Sequence, residues 1–125
     1  MEIVHGRADG PSAAPQQNFT GQVYNDRILT VPDAPRVGNV FFAPGARTHW
    51  HSHEEGQILQ VVSGKGRVAR EGGEVEVVEP GDVVWAPPGE NHWHGADPES
   101  YLVHTAFSFG DTQWDRAVSE EEYGS

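Results

Sequence analysis

Turns constrain this chain more than any other feature. Pro44-Gly45, Gly64-Lys65-Gly66, Gly72-Gly73, Pro80-Gly81 and Pro87-Pro88-Gly89 interrupt it at short intervals. Glycine supplies positive φ and proline a fixed φ, so each cluster punctuates a regular element. Between the breaks lie short apolar segments: "FTGQVY" (19–24), "RILTV" (27–31), "NVFFA" (39–43), "QILQVV" (57–62), "RVARE" (67–71), "EVEVVE" (74–79), "DVVWA" (82–86) and "YLVHTAFSF" (101–109). They are rich in Val, Phe, Tyr and Thr, which suit a pleated, partly buried surface. "EVEVVE" alternates acid and valine, the pattern of a half-buried strand. Short strands separated by turns every 8–12 residues or so predict an all-β sandwich or barrel.

The helical candidate is the tail "TQWDRAVSEEEYGS", in which Ser119 and Glu122 have capping-box spacing. Residues 1–18 are polar and hold Gly6, Gly10, Pro11 and Pro15. They read as a loose N-terminal arm with strand character at "EIVH" alone. Residues 19–125 read as one barrel domain with a short C-terminal tail. There is no repeat, linker or second domain.

At 125 residues, a chain buries about two-thirds of its unfolded surface and folds without a disulfide or structural metal. It has no cysteine, so any metal must be held by nitrogen and oxygen. Eight Lys and Arg against nineteen Asp and Glu leave a net charge of −11. That argues against nucleic acid and anionic membrane as partners, both of which need basic surface. No apolar run reaches the length of a membrane span, and the N-terminus lacks the basic and apolar parts of a signal peptide. The expected compartment is the cytoplasm.

Within "HWHSH", His49, His51 and His53 recur at every second position. On a strand they share one face, with Trp50 and Ser52 on the other. Imidazoles on the inner face of a barrel need partners, because unpaired buried nitrogens are costly. A divalent metal meets that need, since each neutral imidazole can donate a lone pair. "NHWHG" repeats the arrangement at His92 and His94.

In spacing, these residues resemble the two motifs of a single-domain cupin, a double-stranded β-helix or jelly-roll barrel. Gly45 is followed by five residues, His51-Ser52-His53, three residues, Gln57, six residues and Gly64. Gly81 is followed by five residues, Pro87-Pro88-Gly89, two residues and His92; the closing Asn of the motif is here Ala96. The motifs span residues 45–96. The resemblance implies one divalent metal per chain, held by His51, His53, Gln57 and His92. Gln57 stands where most metal cupins have Glu. Four neutral donors leave the ion's charge uncompensated, which strengthens it as a Lewis acid.

The runs "FFAPGARTHWHSHEEGQ" and "PGDVVWAPPGENHWHGA" with a later His104 further resemble the small bacterial manganese cupins that include hydroxynitrile lyases. That resemblance implies Mn; Fe, Zn and Ni also suit the donor set. It implies His94 and His104 as acid–base groups acting on a small carbonyl or hydroxyl substrate. His49 shares the ladder's face as a further catalytic candidate, ranked below the others. Polyketide-cyclase-like closure, Fe or Mn dioxygenase chemistry and non-catalytic ligand binding are alternatives, because function lives in the site and not the fold. A homo-oligomer, dimer or tetramer, is expected. Arg47 reads first as a surface residue, with pairing to an acid or steering of an anion as alternatives, and Glu54-Glu55 as an acidic pair at the cavity mouth. Phe42, Trp50, Ile58, Trp85, Trp93, Phe107 and Phe109 are available for core and cavity.

Overall fold

The computed structural model describes residues 1–6 and 10–124. Its strands are β1 Phe19–Thr20, β2 Val23–Leu29, β3 Arg36–Phe42, β4 Arg47–Thr48, β5 His51–His53, β6 Gln57–Gly64, β7 Gly66–Arg70, β8 Glu76–Val78, β9 Val83–Ala86, β10 His92–Ala96, β11 Leu102–Ser108 and β12 Thr112–Trp114; one helical turn, α1 Glu120–Tyr123, follows. These make two antiparallel sheets, curled into a half-barrel. One runs β2-β3-β11-β6-β9. In the other, β10 pairs with β7 on one side and with β4 and β5 on the other. β8 extends that sheet beyond β7, β1 beyond β4, and β12 beyond β5.

Alternation along the strands builds two apolar cores. Val23, Val40, Phe42, Val61, Ala96 and Leu102 fill the first, between the sheets. Trp50, Ala69, Trp93, Val118 and Tyr123 form the second, under the C-terminal tail. The tryptophans of both His-Trp-His units therefore point away from their histidines and anchor the tail. Burial of a side chain the size of Tyr123 contributes about 1.5–3 kcal/mol, and its hydroxyl also donates to the Ala96 carbonyl. At Gly64, φ is 84°, and a Cβ would overlap the Tyr101 carbonyl; only glycine fits the end of β6.

Several expectations need correction. Thr112–Trp114 is a strand zipped to β5, and the helix is confined to the turn that Ser119 and Glu122 cap. Arg47 is 3% exposed. Its Nη2 donates to the Val118 carbonyl at 3.0 Å and to Glu120 at 2.9 Å, beneath the Tyr123 ring. In "EVEVVE" only Val78 is buried; Val75 and Val77 face solvent, because β8 is an edge strand with β7 alone beside it. "EIVH" is not a strand. The arm instead touches the sheet at Ala13, which exchanges backbone hydrogen bonds with Asn25; residues 7–9 of that arm lie outside the described residues. Among those residues, no helix is long and apolar enough to cross a membrane.

Candidate active site

His51 and His53 stand one residue apart on β5 and point between the sheets. His92 opens β10 directly opposite His51, and Gln57 opens β6. Nitrogens of His51, His53 and His92 lie within 4.8 Å of one another. All three rings are buried, as is Gln57.

The hydrogen bonds around these rings decide where their lone pairs point. A carbonyl oxygen can only accept, so His51 Nδ1 donates to the His49 carbonyl at 2.9 Å. His92 Nδ1 donates in the same way to the Glu90 carbonyl at 2.9 Å. The Nε2 atoms of both rings are then bare acceptors. Gln57 Nε2 donates to Ser108 Oγ at 3.0 Å, which turns Oε1 toward His92 Nε2 at 3.1 Å. Two acceptors thus face each other in a buried place. His53 Nδ1 meets Thr112 Oγ1 at 3.1 Å, and its Nε2 is buried with no partner. Protonation does not resolve the conflict. Burial, above all, holds the basicity of His51 well below the usual histidine value and lowers that of His92. His53 is pushed down to about 4 by burial and by the neighbouring His92 and Arg36 charges. Converging neutral donors on buried side chains fit a divalent cation.

Deeper in the cavity, His94 on β10 and His104 on β11 meet across the two sheets. His104 Nε2 and His94 Nδ1 are 2.9 Å apart. His94 Nε2 and His104 Nδ1 are buried without a partner. Phe42 packs on both rings, at 6.0 Å and 5.2 Å between centroids. Burial keeps His104 at about 4 and His94 well below the ordinary value, so both are neutral near pH 7. The His94 ring centre lies 5.1 Å from that of His51. A neutral, hydrogen-bonded histidine pair therefore stands beside the three-histidine cluster.

His49 does not join them. The chain bends at Trp50 between β4 and β5, so the regular ladder begins only at His51. The His49 ring is outside the cavity lining, and what the residue supplies is its carbonyl to His51.

The cavity over the cluster has a volume of about 310 Å³, at the low end of the roughly 300–1,000 Å³ typical of small-molecule sites. Phe19, Phe42 and Trp114 form an aromatic wall, with Trp114 stacked obliquely on His51 at 4.7 Å. The mouth holds Arg27 and Arg36, while Glu54 and Glu55 lie outside the lining, so the expected acidic mouth is instead basic. A larger cavity of about 450 Å³ opens by the β7–β8 hairpin and includes only His92 of these residues. Trp50 and Trp93 are absent from the cavity over the cluster, and Trp85 is exposed.

A family model described as a cupin domain matches residues 38–104. The chain belongs to the cupin family. Among curated proteins, this cupin is 43% identical to an (R)-mandelonitrile lyase from Granulicella tundricola, over 98% of each chain. Among solved structures it is similar to a cupin-like protein from Thermotoga maritima, with 40% identity, a TM-score of 0.84 and coverage of 98% of this chain and 95% of that one. The polyketide cyclase RemF from Streptomyces resistomycificus shares the fold at 21% identity and a TM-score of 0.66, over 96% and 84% of the two chains.

Reasoning from sequence missed Phe19, Ser108, Thr112 and Trp114. Thr112 and Trp114 fell in the segment read as helix. Their alternation, Thr112 and Trp114 to one side of Gln113, was the available signal.

Proposed function

We propose that this cupin is a metal-dependent lyase that cleaves an aromatic cyanohydrin to an aldehyde and hydrogen cyanide. The observation that carries the reading is the placement of a neutral histidine pair beside converging metal-type donors in one aromatic-walled cavity. Similarity over nearly the full chain to an (R)-mandelonitrile lyase supports it.

His51, His53, Gln57 and His92 would hold the ion, with manganese the first choice. When bound, the ion supplies Lewis acidity toward the substrate oxygen. Phe19, Phe42 and Trp114 receive the aryl ring and exclude water from one side. His94 Nε2 takes the hydroxyl proton, a role open to it when His94 Nδ1 donates to His104. As the carbonyl forms, the bond to the nitrile carbon breaks, and cyanide leaves with the electron pair. The imidazolium returns the proton to cyanide, so the site ends as it began.

Manganese-loaded protein mixed with racemic mandelonitrile should release benzaldehyde and cyanide in equal amounts and consume one enantiomer faster. Protein that carries stoichiometric metal yet releases no cyanide would overturn the reading. Oxygen uptake in the same assay would favour a dioxygenase instead.

The outer face of the five-stranded sheet supports the homo-oligomer. Along its cross-strand rows stand Tyr24, Phe41 and Val103, then Asp26, Asn39, Thr105, Gln60 and Val83, then Phe107, Ile58 and Trp85. Asp26 is the one charge in these rows. Copies with a net charge of −11 repel each other over most of their surface. A face nearly free of charge is therefore where a second copy would dock. Sedimentation should give a multiple of the 13.7 kDa chain mass, and Trp85→Glu should reduce it; a monomer at high concentration would remove this proposal.

A further inference from the structure

The cavity over the cluster reverses the charge of the molecule around it. The chain has nineteen Asp and Glu, yet among the described residues none of them lines this cavity, whereas Arg27 and Arg36 do. Most other described cations are matched locally: Arg47 with Glu120, Lys65 and Arg67 with Asp97, and Arg116 with Glu122. Among the described residues, neither Arg27 nor Arg36 has a carboxylate partner. Arg70 also lacks one, but the larger cavity that it lines holds Glu74, Glu76 and Glu90. Two unmatched guanidiniums at one mouth, in a strongly acidic protein, mark a place built to receive negative charge.

Position adds to this. Arg27 and Arg36 are exposed, yet both line the cavity that the histidines, Phe19 and Trp114 share, together with Asn25 and Thr30. A molecule with its reacting carbon at the histidines and its ring against Phe19 and Trp114 would direct its far end to the guanidiniums. Low-dielectric walls focus the field of such charges into the cavity. Guanidinium groups bind carboxylates by two parallel hydrogen bonds.

We infer that the natural substrate is anionic: an aromatic molecule bearing a carboxylate at the end remote from the reacting carbon, gripped by Arg27 and Arg36. This rests on the lyase reading for the reacting end, but the charge selection has its own readout. Arg36 also donates to Thr112 Oγ1 at 3.2 Å, and Thr112 backs His53. Arg27 makes no such contact, so its substitution is the cleaner test.

The measurement compares the cyanohydrin of 4-formylbenzoate with mandelonitrile. In the native protein kcat/KM should favour the carboxylate by at least about tenfold, the low end of what a focused field gives. The ratio should fall toward one in Arg27→Gln and in 0.5 M salt. A native ratio of one or less, or a ratio that Arg27→Gln and Arg36→Gln both leave unchanged, overturns the inference. If neither cyanohydrin is cleaved, the lyase reading fails, and binding still decides the charge selection. Calorimetry with 4-(hydroxymethyl)benzoate should show at least about tenfold tighter binding than benzyl alcohol, and Arg27→Gln should abolish the difference. Equal binding of the two by the native protein overturns the inference.

Discussion

Alanine at His53 is expected to leave a folded protein that no longer retains metal through gel filtration. His53 Nε2 is buried and unpartnered, and its Nδ1 is backed by Thr112. Losing a residue that merely backs a ligand weakens metal binding by about 10–100-fold. Loss of a ligand should exceed that range, and cyanohydrin cleavage should drop to background. Thr112→Val, which removes only the backing, should fall inside it. Elemental analysis of both variants checks the order. Native metal occupancy in His53→Ala would show that the histidines pack for another reason.

The second large effect is expected at the histidine pair. His94→Ala should keep its metal and lower kcat by about 10²–10⁴, the usual worth of a positioned acid–base group. His104 acts through His94, so its variants should differ among themselves. His104→Gln keeps a polar partner for His94 Nδ1 and should recover part of the rate that His104→Leu loses. A native rate in both His94→Ala and His104→Leu would remove the proton-transfer role. Metal content measured beside each rate separates this outcome from collapse of the site.

Much of the framework was legible because turn chemistry is local. Each Gly and Pro cluster marked a strand end, and the segments at 57–62 and 101–109 became the two strands that meet at the centre of one sheet. The convergence of His51, His53, Gln57 and His92 was legible too, through the resemblance of their spacing to the two cupin motifs. What failed depended on contacts remote in sequence. Trp50 is drawn into the core beneath the tail, and that pull bends the chain and takes His49 out of the ladder. Arg47 looks like an ordinary surface cation until Val118 and Glu120 close over it. Thr112–Trp114 has no strong strand signal of its own and becomes a strand by pairing with β5. The basic mouth was hidden for the same reason. Arg27 and Arg36 are scattered in the sequence, and the sheet brings them to one rim.

The origin of the donors bears on how the protein would respond to losing its ion. His51 and His53 are two residues apart, so the unfolded chain already offers that pair to a metal. His92 arrives only after β10 has found β5, across a long stretch of chain. Ligand-linked stability counts only the affinity difference between the native and unfolded forms. The hold on metal that resists unfolding therefore comes chiefly from His92 and the fold that delivers it. Such distant strand pairing forms slowly, so a nascent chain in metal-rich surroundings could carry a loosely held ion well before it has an active site.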